Sequence, residues 1–225
     1  MEFTESKLSS YIDYDVLKGI YDEIPDSCYN RLVLTDIELY ENIEEILELP
    51  NITAVKISLS DAVYQESIIY QLSTISTIIK LEITSIDCEA NTKLPQSLYN
   101  FINLKVLYIN NINIQALSES LSNLLHLEEL WVYNTKLEYL PKSISKLTKL
   151  VHLGVESNNI RELPDSLSEL TKLQTLDVFC NSLKFLPISL SNLTKLERLD
   201  VLYNEDLIEI PKALLLSENL KKFQY

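Results

Sequence analysis

Residues 140–185 read LPKSISKLTKLVHLGVESNNIRE (140–162) and then LPDSLSELTKLQTLDVFCNSLKF (163–185), two copies of one 23-residue unit. Leucine, asparagine and proline recur at matching places in the two copies, while the residues between them differ. An internal period of about 20 to 50 residues is typical of a solenoid, in which each unit buries its apolar face against the next. The two copies therefore predict a stack of short coils rather than one round core.

The same period continues on both sides of this pair. Regular units begin at Leu94, Leu117, Leu140, Leu163, Leu186 and Ile210, and the last step is one residue longer than the others. The predicted strand centres are Leu32, Val55, Leu81, Leu107, Leu130, Leu153, Leu176, Leu199 and Phe223. The early coils are longer and irregular, and 62–72 is predicted to form a helix. We divide the chain into an N-terminal cap at 1–28, irregular coils at 29–93 and regular coils at 94–225.

The repeated pattern is L-x-x-L-x-L/V-x-x-N-x-L/I followed by L-P-x-S-L/I, and it resembles the leucine-rich repeat family in its 23-residue form. The resemblance implies an α/β solenoid. A curved parallel sheet would form its concave face, and short helices, 3-10 turns or loops its convex face. The resemblance also implies a protein-binding scaffold, with the concave sheet as the usual working surface, and it implies no catalytic chemistry.

Asparagine and proline have predicted structural roles in each coil. Asn158, Asn181 and Asn204 recur after successive strands, where an amide can both donate to and accept from turning backbone. Thr135 and Ile112 hold that position in earlier coils, so we expect an incomplete ladder there. The prolines fix the corner at which the chain leaves for the convex side.

Composition argues against several functional classes. The chain has 19 Lys and Arg against 33 Asp and Glu, a net charge of −14, and residues 1–93 carry −12 of it. Such a field disfavours nucleic acid and anionic membranes, and modestly favours a basic partner. Two glycines cannot build a glycine-rich phosphate loop. Three scattered cysteines and two histidines fit neither a disulfide framework nor a metal cluster, so we predict no cofactor and no metal.

The start of the chain has no secretory pattern, and no stretch has the length of a membrane span. We therefore expect a cytoplasmic protein, with export independent of a signal as the alternative. The C-terminal end shows no polar capping unit after the ninth strand pattern. An uncapped solenoid exposes its core, so we predict either an end-to-end homodimer or a last coil that covers itself.

The candidate binding residues follow from strand alternation, because residues two apart point to the same side. The concave positions between core residues hold aromatic and acidic side chains, a combination typical of interaction hot spots. The predicted partner-binding residues are Tyr108, Trp131, Tyr133, His152, Glu156, Asp177, Phe179, Asp200 and Tyr203. The alternative is that aromatic residues occupy these positions only because they favour strands. Gly154 leaves a gap between Trp131 and Asp177, where a bound side chain is expected.

Three functional hypotheses follow. The first is a non-enzymatic scaffold that binds a protein or peptide on the concave sheet. The second is a targeting or inhibitory module that occludes a basic partner or an enzyme's active site, steered by the acidic N-terminal part. An enzyme is the least favoured, because His152 near Glu129 and Thr175 has no nucleophile or oxyanion donor. Asp177 and Asp200 are expected on an open sheet without the separated pKa values of an acid–base pair.

Overall fold

The computed structural model describes residues 31–35, 51–59, 65–85 and 94–225, together with Glu44 and Leu47. Within these ranges, nine strands form one parallel sheet in chain order. The strands are β1 (Arg31–Thr35), β2 (Ala54–Leu59), β3 (Lys80–Ser85), β4 (Val106–Asn110), β5 (Glu129–Tyr133), β6 (His152–Gly154), β7 (Thr175–Asp177), β8 (Arg198–Asp200) and β9 (Lys222–Gln224). The predicted cap at 1–28 lies outside the described residues, and the three domain boundaries stay predictions.

The register of the sheet confirms the predicted strand centres. Leu32 pairs with Val55 at one end of the sheet, Leu130 with Leu153 in the middle, and Leu199 with Phe223 at the other end. The longer last step therefore adds a residue to the connection without shifting the pairing.

The core is a continuous column of aliphatic side chains behind the sheet. In the coil that contains β6, Ile144, Leu147, Leu150 and Leu153 have no measurable solvent exposure, and Val155 has none either. Each such side chain contributes roughly 1.5–3 kcal/mol relative to an exposed one. Because the coils supply equivalent residues to one column, each coil depends on its neighbours for burial.

Short helices form the convex face. They are α1 (Gln65–Ser73), α2 (Lys212–Leu215), and 3-10 helices at Gln96–Asn100, Glu119–Asn123, Lys142–Lys146, Asp165–Glu169 and Ile188–Asn192. The helix predicted at 62–72 is observed as α1 over its described part. Proline caps most of these helices with extended backbone, as Pro141 does at φ −65° and ψ 145°. Where the proline is absent, the Ser118 side chain accepts a hydrogen bond from the Ser120 N–H.

Acidic side chains on the convex face also cap the helix of the following coil. Glu66 accepts hydrogen bonds from the backbone N–H groups of Gln96 at 2.7 Å and Ser97 at 2.8 Å. Glu119 accepts from the Ser143 N–H at 3.0 Å. Carboxylates at helix starts satisfy unpaired donors, so part of the acidity of this chain is structural.

The asparagine ladder forms as predicted. The amide of Asn181 donates to the carbonyl groups of Val155 at 2.8 Å and Val178 at 3.1 Å, and its oxygen accepts from the Ile160 N–H at 3.0 Å. Asn158 and Asn204 repeat these bonds in their own coils.

One residue in each regular turn has left-handed backbone, directly before the ladder position. These residues are Asn111, Asn134, Ser157, Cys180 and Tyr203, with φ between 47° and 62°. Asparagine tolerates this conformation, whereas other side chains pay about 1–2 kcal/mol for it. The later coils therefore have strained backbone at Ser157, Cys180 and Tyr203, and the hydrogen bonds of the ladder asparagine that follows each residue stabilise the turn.

Candidate functional site

The concave face is organised by a row of residues in direct register across the sheet. Tyr108 on β4 pairs with Trp131 on β5, and Trp131 pairs with Gly154 on β6. The row continues through Asp177 and Asp200. Residues paired across parallel strands lie about 4.8 Å apart, so side chains of this row touch or nearly touch.

Four rings pack together at the centre of the sheet, and we call Tyr108, Trp131, Tyr133 and His152 the aromatic cluster. The Trp131 indole stacks against Tyr108 with 6.4 Å between ring centroids and 6° between planes. It stacks against His152 at 6.2 Å and 12°, and it contacts Tyr133 at 5.8 Å and 31°. All four side chains remain partly exposed. The structure therefore brings together four of the nine predicted residues around the only tryptophan in the chain.

Glu129 orients the aromatic cluster, and the candidate residues predicted from the sequence did not include it. Its Oε2 atom accepts a hydrogen bond from the Trp131 Nε1–H at 3.0 Å and a long one from the Tyr108 hydroxyl at 3.4 Å. Glu129 stands two residues before Trp131 and therefore on the same side of the strand. That spacing is the signal from which its role could have been predicted.

The expected gap over Gly154 is already filled, so the prediction that it receives a bound side chain is wrong. A Cβ atom at Gly154 would overlap Cε3 and Cζ3 of Trp131, because the indole lies across this backbone. Gly154 does not have a left-handed φ. Gly154 therefore leaves space for the indole, and its backbone does not need the conformational freedom of glycine. The indole of Trp131 lies against the sheet as a result.

Asp177 and Asp200 are buried, with 9% and 8% exposure, which corrects the expectation that they stand in the open. Each carboxylate folds back on its own strand end. Asp177 Oδ1 accepts from the Phe179 N–H at 3.1 Å, and Asp200 Oδ1 accepts from the Leu202 N–H at 3.1 Å. These two bonds satisfy backbone donors where the short strands end, which explains why the side chains do not extend into solvent.

Glu156 lies next to these aspartates, and we call Glu156, Asp177 and Asp200 the carboxylate row. Burial raises the pKa of Glu156 to about 7, and the negative charge of Asp177 and a hydrogen bond with it add to the rise. Burial also raises the pKa of Asp177, against the opposing effect of the Phe179 N–H. Arg198 partly offsets the negative charge, as the smallest of the contributions to both groups. Glu156 therefore gives up its proton at a higher pH than an ordinary glutamate does.

The last two predicted residues form a separate pair beyond the carboxylate row. Phe179 and Tyr203 pack edge to face with 4.9 Å between centroids and 70° between planes. Tyr203 is 66% exposed and has left-handed backbone at φ 56°. The candidate surface is therefore two groups of aromatic rings with acidic side chains between them, and not one continuous patch.

The His152 side chain belongs to the aromatic cluster. Glu129, His152 and Thr175 are neighbours in register as expected, but the His152 ring packs on Trp131. Within the described ranges, no group of three or more His, Cys, Asp or Glu side chains is arranged to hold a metal ion. Lys149, Lys172 and Lys195 are all exposed along one rim, and Lys149 Nζ lies 2.8 Å from His126 Nδ1.

With the repeat geometry established, comparison with known proteins identifies the family. The family model for a leucine-rich repeat region matches residues 58–225. The chain belongs to the leucine-rich repeat family, whose members generally act as protein-binding scaffolds. No curated protein matches the chain at a significant level.

Solved structures agree on the fold. A leucine-rich repeat protein of Leptospira interrogans is 24% identical with a TM-score of 0.62, and the match covers 80% of this chain and 50% of that one. The leucine-rich repeat domain of the type III effector XopL is 21% identical with a TM-score of 0.67, covering 86% and 75%. The chain thus spans about half the length of the Leptospira protein. At these identities the likeness extends to the fold alone.

None of the helices in the described part of the chain combines the length and the apolar character that crossing a bilayer requires.

Proposed function

We propose that this chain is a non-enzymatic scaffold that binds a protein or peptide on its concave sheet, with the aromatic cluster as the anchor. The observation that carries the proposal is the preassembly of Trp131. Its indole is stacked on two rings and bonded to Glu129 before any partner arrives. Rigid, partly exposed aromatic side chains bind tightly because little conformational freedom is lost on contact.

The shape of the sheet supports the same proposal. The four rings come from three adjacent strands, so a partner that covers them contacts several coils at once. Strand preference alone would place aromatic residues on this face, but it does not account for a glycine beneath the indole or for the hydrogen bond to Glu129.

The test is a pull-down from the cells that carry this chain, with the wild type compared to the double variant Trp131→Ala, Tyr133→Ala. A matched control is Tyr139→Ala, Phe185→Ala, because both side chains are exposed, at 52% and 54%, and lie outside strands β1 to β9. The proposal predicts loss of the partner with the first pair only. Retention of the partner by the first variant, or equal loss with both, would contradict it. Far-UV circular dichroism verifies that each variant folds.

A further inference from the structure

The coil that contains β9 leaves part of its core uncovered. Three of its core residues are only partly buried, namely Ile210, Leu220 and Phe223. The equivalent residues of the preceding coil are at most 4% exposed: Leu186, Leu196 and Leu199. Tyr225 is 72% exposed at the position where the preceding coil has Val201 with 2%. Because coils cover one another in a solenoid, this surface is the kind of apolar face that a neighbouring unit buries.

The helix of this coil is also more apolar at its end than the convex helices before it. The fifth residue of each 3-10 helix is polar or charged: Asn100, Asn123, Lys146, Glu169 and Asn192. The equivalent residue after α2 is Leu216, which is 79% exposed, and Leu215 before it is 50% exposed. Two adjacent exposed leucines where earlier coils are polar are typical of a surface that contacts protein.

The strand β9 has an open edge. In the described sheet it pairs with β8 alone. The Lys222 N–H donates to the Glu197 carbonyl at 3.0 Å, and the Gln224 carbonyl accepts from the Val201 N–H at 2.8 Å. Since alternate residues of a strand direct their backbone groups to opposite edges, the N–H and C=O groups of Phe223 point to the open edge. Such groups can pair with a further strand.

We propose that the open edge of β9 pairs with the same edge of a second copy of this chain, antiparallel and around a two-fold axis at Phe223. The Phe223 N–H donates to the carbonyl of the partner's Phe223, and the reverse bond forms by symmetry. Opposite residues of an antiparallel pair lie on one side of the sheet, so the two rings contact each other on the core side. The exposed leucines of both α2 helices lie on that same side and cover the remaining apolar surface.

The side chains of β9 favour a second copy as the occupant. Lys222 and Gln224 point to the concave side, because they flank the inward-facing Phe223. A lysine on an edge strand normally discourages pairing. In the two-fold arrangement, however, Lys222 lies opposite the partner's Gln224, so no like charges face each other. The edge is therefore complementary to itself, as a symmetric contact requires. The two concave sheets become continuous, and each keeps its own aromatic cluster.

Sedimentation equilibrium of the 225-residue chain measures this association over a range of about 1 to 100 μM. The mass should rise from that of one chain to that of two and no further, because a two-fold contact uses up both open edges.

The register of the pairing is tested by charge. Gln224→Lys puts two lysines opposite each other on both sides of the axis and should raise the dissociation constant at least about tenfold. Adding Lys222→Glu to this variant replaces both repulsive pairs by attractive ones, and should return the dissociation constant to within about threefold of the wild type. The control Gln174→Lys adds the same charge at an exposed position away from β9, and should change it by less than about twofold.

The apolar contact is tested separately with Leu216→Asn, Tyr225→Ser. This variant leaves the strand sequence of β9 intact and should raise the dissociation constant at least about tenfold. Its matched control is Leu125→Asn, Tyr139→Ser, which changes side chains that are 55% and 52% exposed in earlier coils, and no effect on the mass is expected. Circular dichroism verifies that every variant folds.

Each other outcome overturns the proposal. A constant monomer mass would mean that a different partner or segment covers the coil. A mass that grows beyond two chains would indicate head-to-tail stacking instead of a two-fold contact. A dimer that is insensitive to Gln224→Lys, or one that Gln224→Lys weakens and Lys222→Glu does not restore, would rule out the antiparallel pairing. A dimer that both apolar variants weaken equally would not involve the last coil specifically.

Discussion

Replacing Gly154 by alanine tests whether the indole of Trp131 is held by the backbone beneath it. The added methyl group would overlap two ring atoms of Trp131. The backbone of Gly154 is paired on both sides, with Trp131 and with Asp177, so it has little freedom to move. The indole must therefore tilt away from the sheet, which weakens the contacts that assemble the aromatic cluster.

The size of the effect follows from those contacts. Tilting weakens the stacking of Trp131 on Tyr108 and His152, worth roughly 0.5–1.5 kcal/mol for each aromatic pair. It also strains the hydrogen bond to Glu129, and overpacking alone typically costs about 1–3 kcal/mol. Alanine at a compatible position returns roughly 0.4–1 kcal/mol through the unfolded state. We expect the free energy of unfolding to drop by about 2 kcal/mol.

Urea denaturation of Gly154→Ala measures this change, and the fluorescence of the only tryptophan reports the indole directly. The control makes the same substitution in a Trp131→Ala background, and its unfolding is followed by circular dichroism. The clash is gone in that background, so alanine at position 154 should be neutral or stabilising. A coupling energy of about 2 kcal/mol between the two positions is expected. A Gly154→Ala variant with unchanged stability and unchanged fluorescence would show that the backbone at this position does not hold the indole.

Other predictions concern protonation, the ladder and the strained turns. Folding raises the pKa of Glu156 from 4.5 to about 7, so the folded chain binds more protons in this range and should lose stability as pH rises through it. After allowance for solvent screening we expect a loss of roughly 1–2 kcal/mol between about pH 5 and 8, much reduced in Glu156→Gln; a flat profile in the wild type contradicts this. Asn181→Ala removes several buried hydrogen bonds and should cost about 2–4 kcal/mol in thermal melts. The neighbouring substitution Ser182→Ala should change the free energy of unfolding by less than about 0.5 kcal/mol. Equal destabilisation by the two variants would mean that the ladder does not stabilise the fold. Cys180→Asn should stabilise by roughly 0.5–1 kcal/mol and Cys180→Val destabilise, because φ is 53° there; the reverse order would rule out backbone strain.

Much of the fold could be predicted because it depends on repeated residues. Leu107, Leu130, Leu153, Leu176 and Leu199 recur every 23 residues, and each is fully buried in the observed register. The ladder of Asn158 and its incomplete end at Thr135 were also predictable. In both cases each residue packs against its equivalent in the next coil, so the repeat alone is enough to predict its surroundings.

The candidate site was less predictable because it depends on the differences between coils. Strand alternation placed Trp131 on the concave face correctly, but it does not reveal that the indole leans over the next strand onto Gly154. Alternation also predicted exposure for Asp200, whose strand is short enough for the carboxylate to bond its own following backbone. At strand ends the direction of a side chain depends on its local hydrogen bonds, and these cannot be predicted from the alternation of residues along a strand.

The expectation of an end-to-end homodimer stays a prediction. The last strand, β9, leaves Phe223 partly buried, and Leu216 and Tyr225 are 79% and 72% exposed. End-to-end dimerisation through this region would appear in light scattering as a mass that doubles with concentration. A constant monomer mass at high concentration would contradict it.

Site-specific photo-crosslinking measures directly whether the partner contacts the concave sheet. A photoreactive residue is placed at Thr175 on β7, or at Glu169 in the convex 3-10 helix of the same coil. Each variant is mixed with the partner recovered from the pull-down and irradiated. We expect crosslinks from Thr175 and none from Glu169. Crosslinks from Glu169 alone would contradict this expectation.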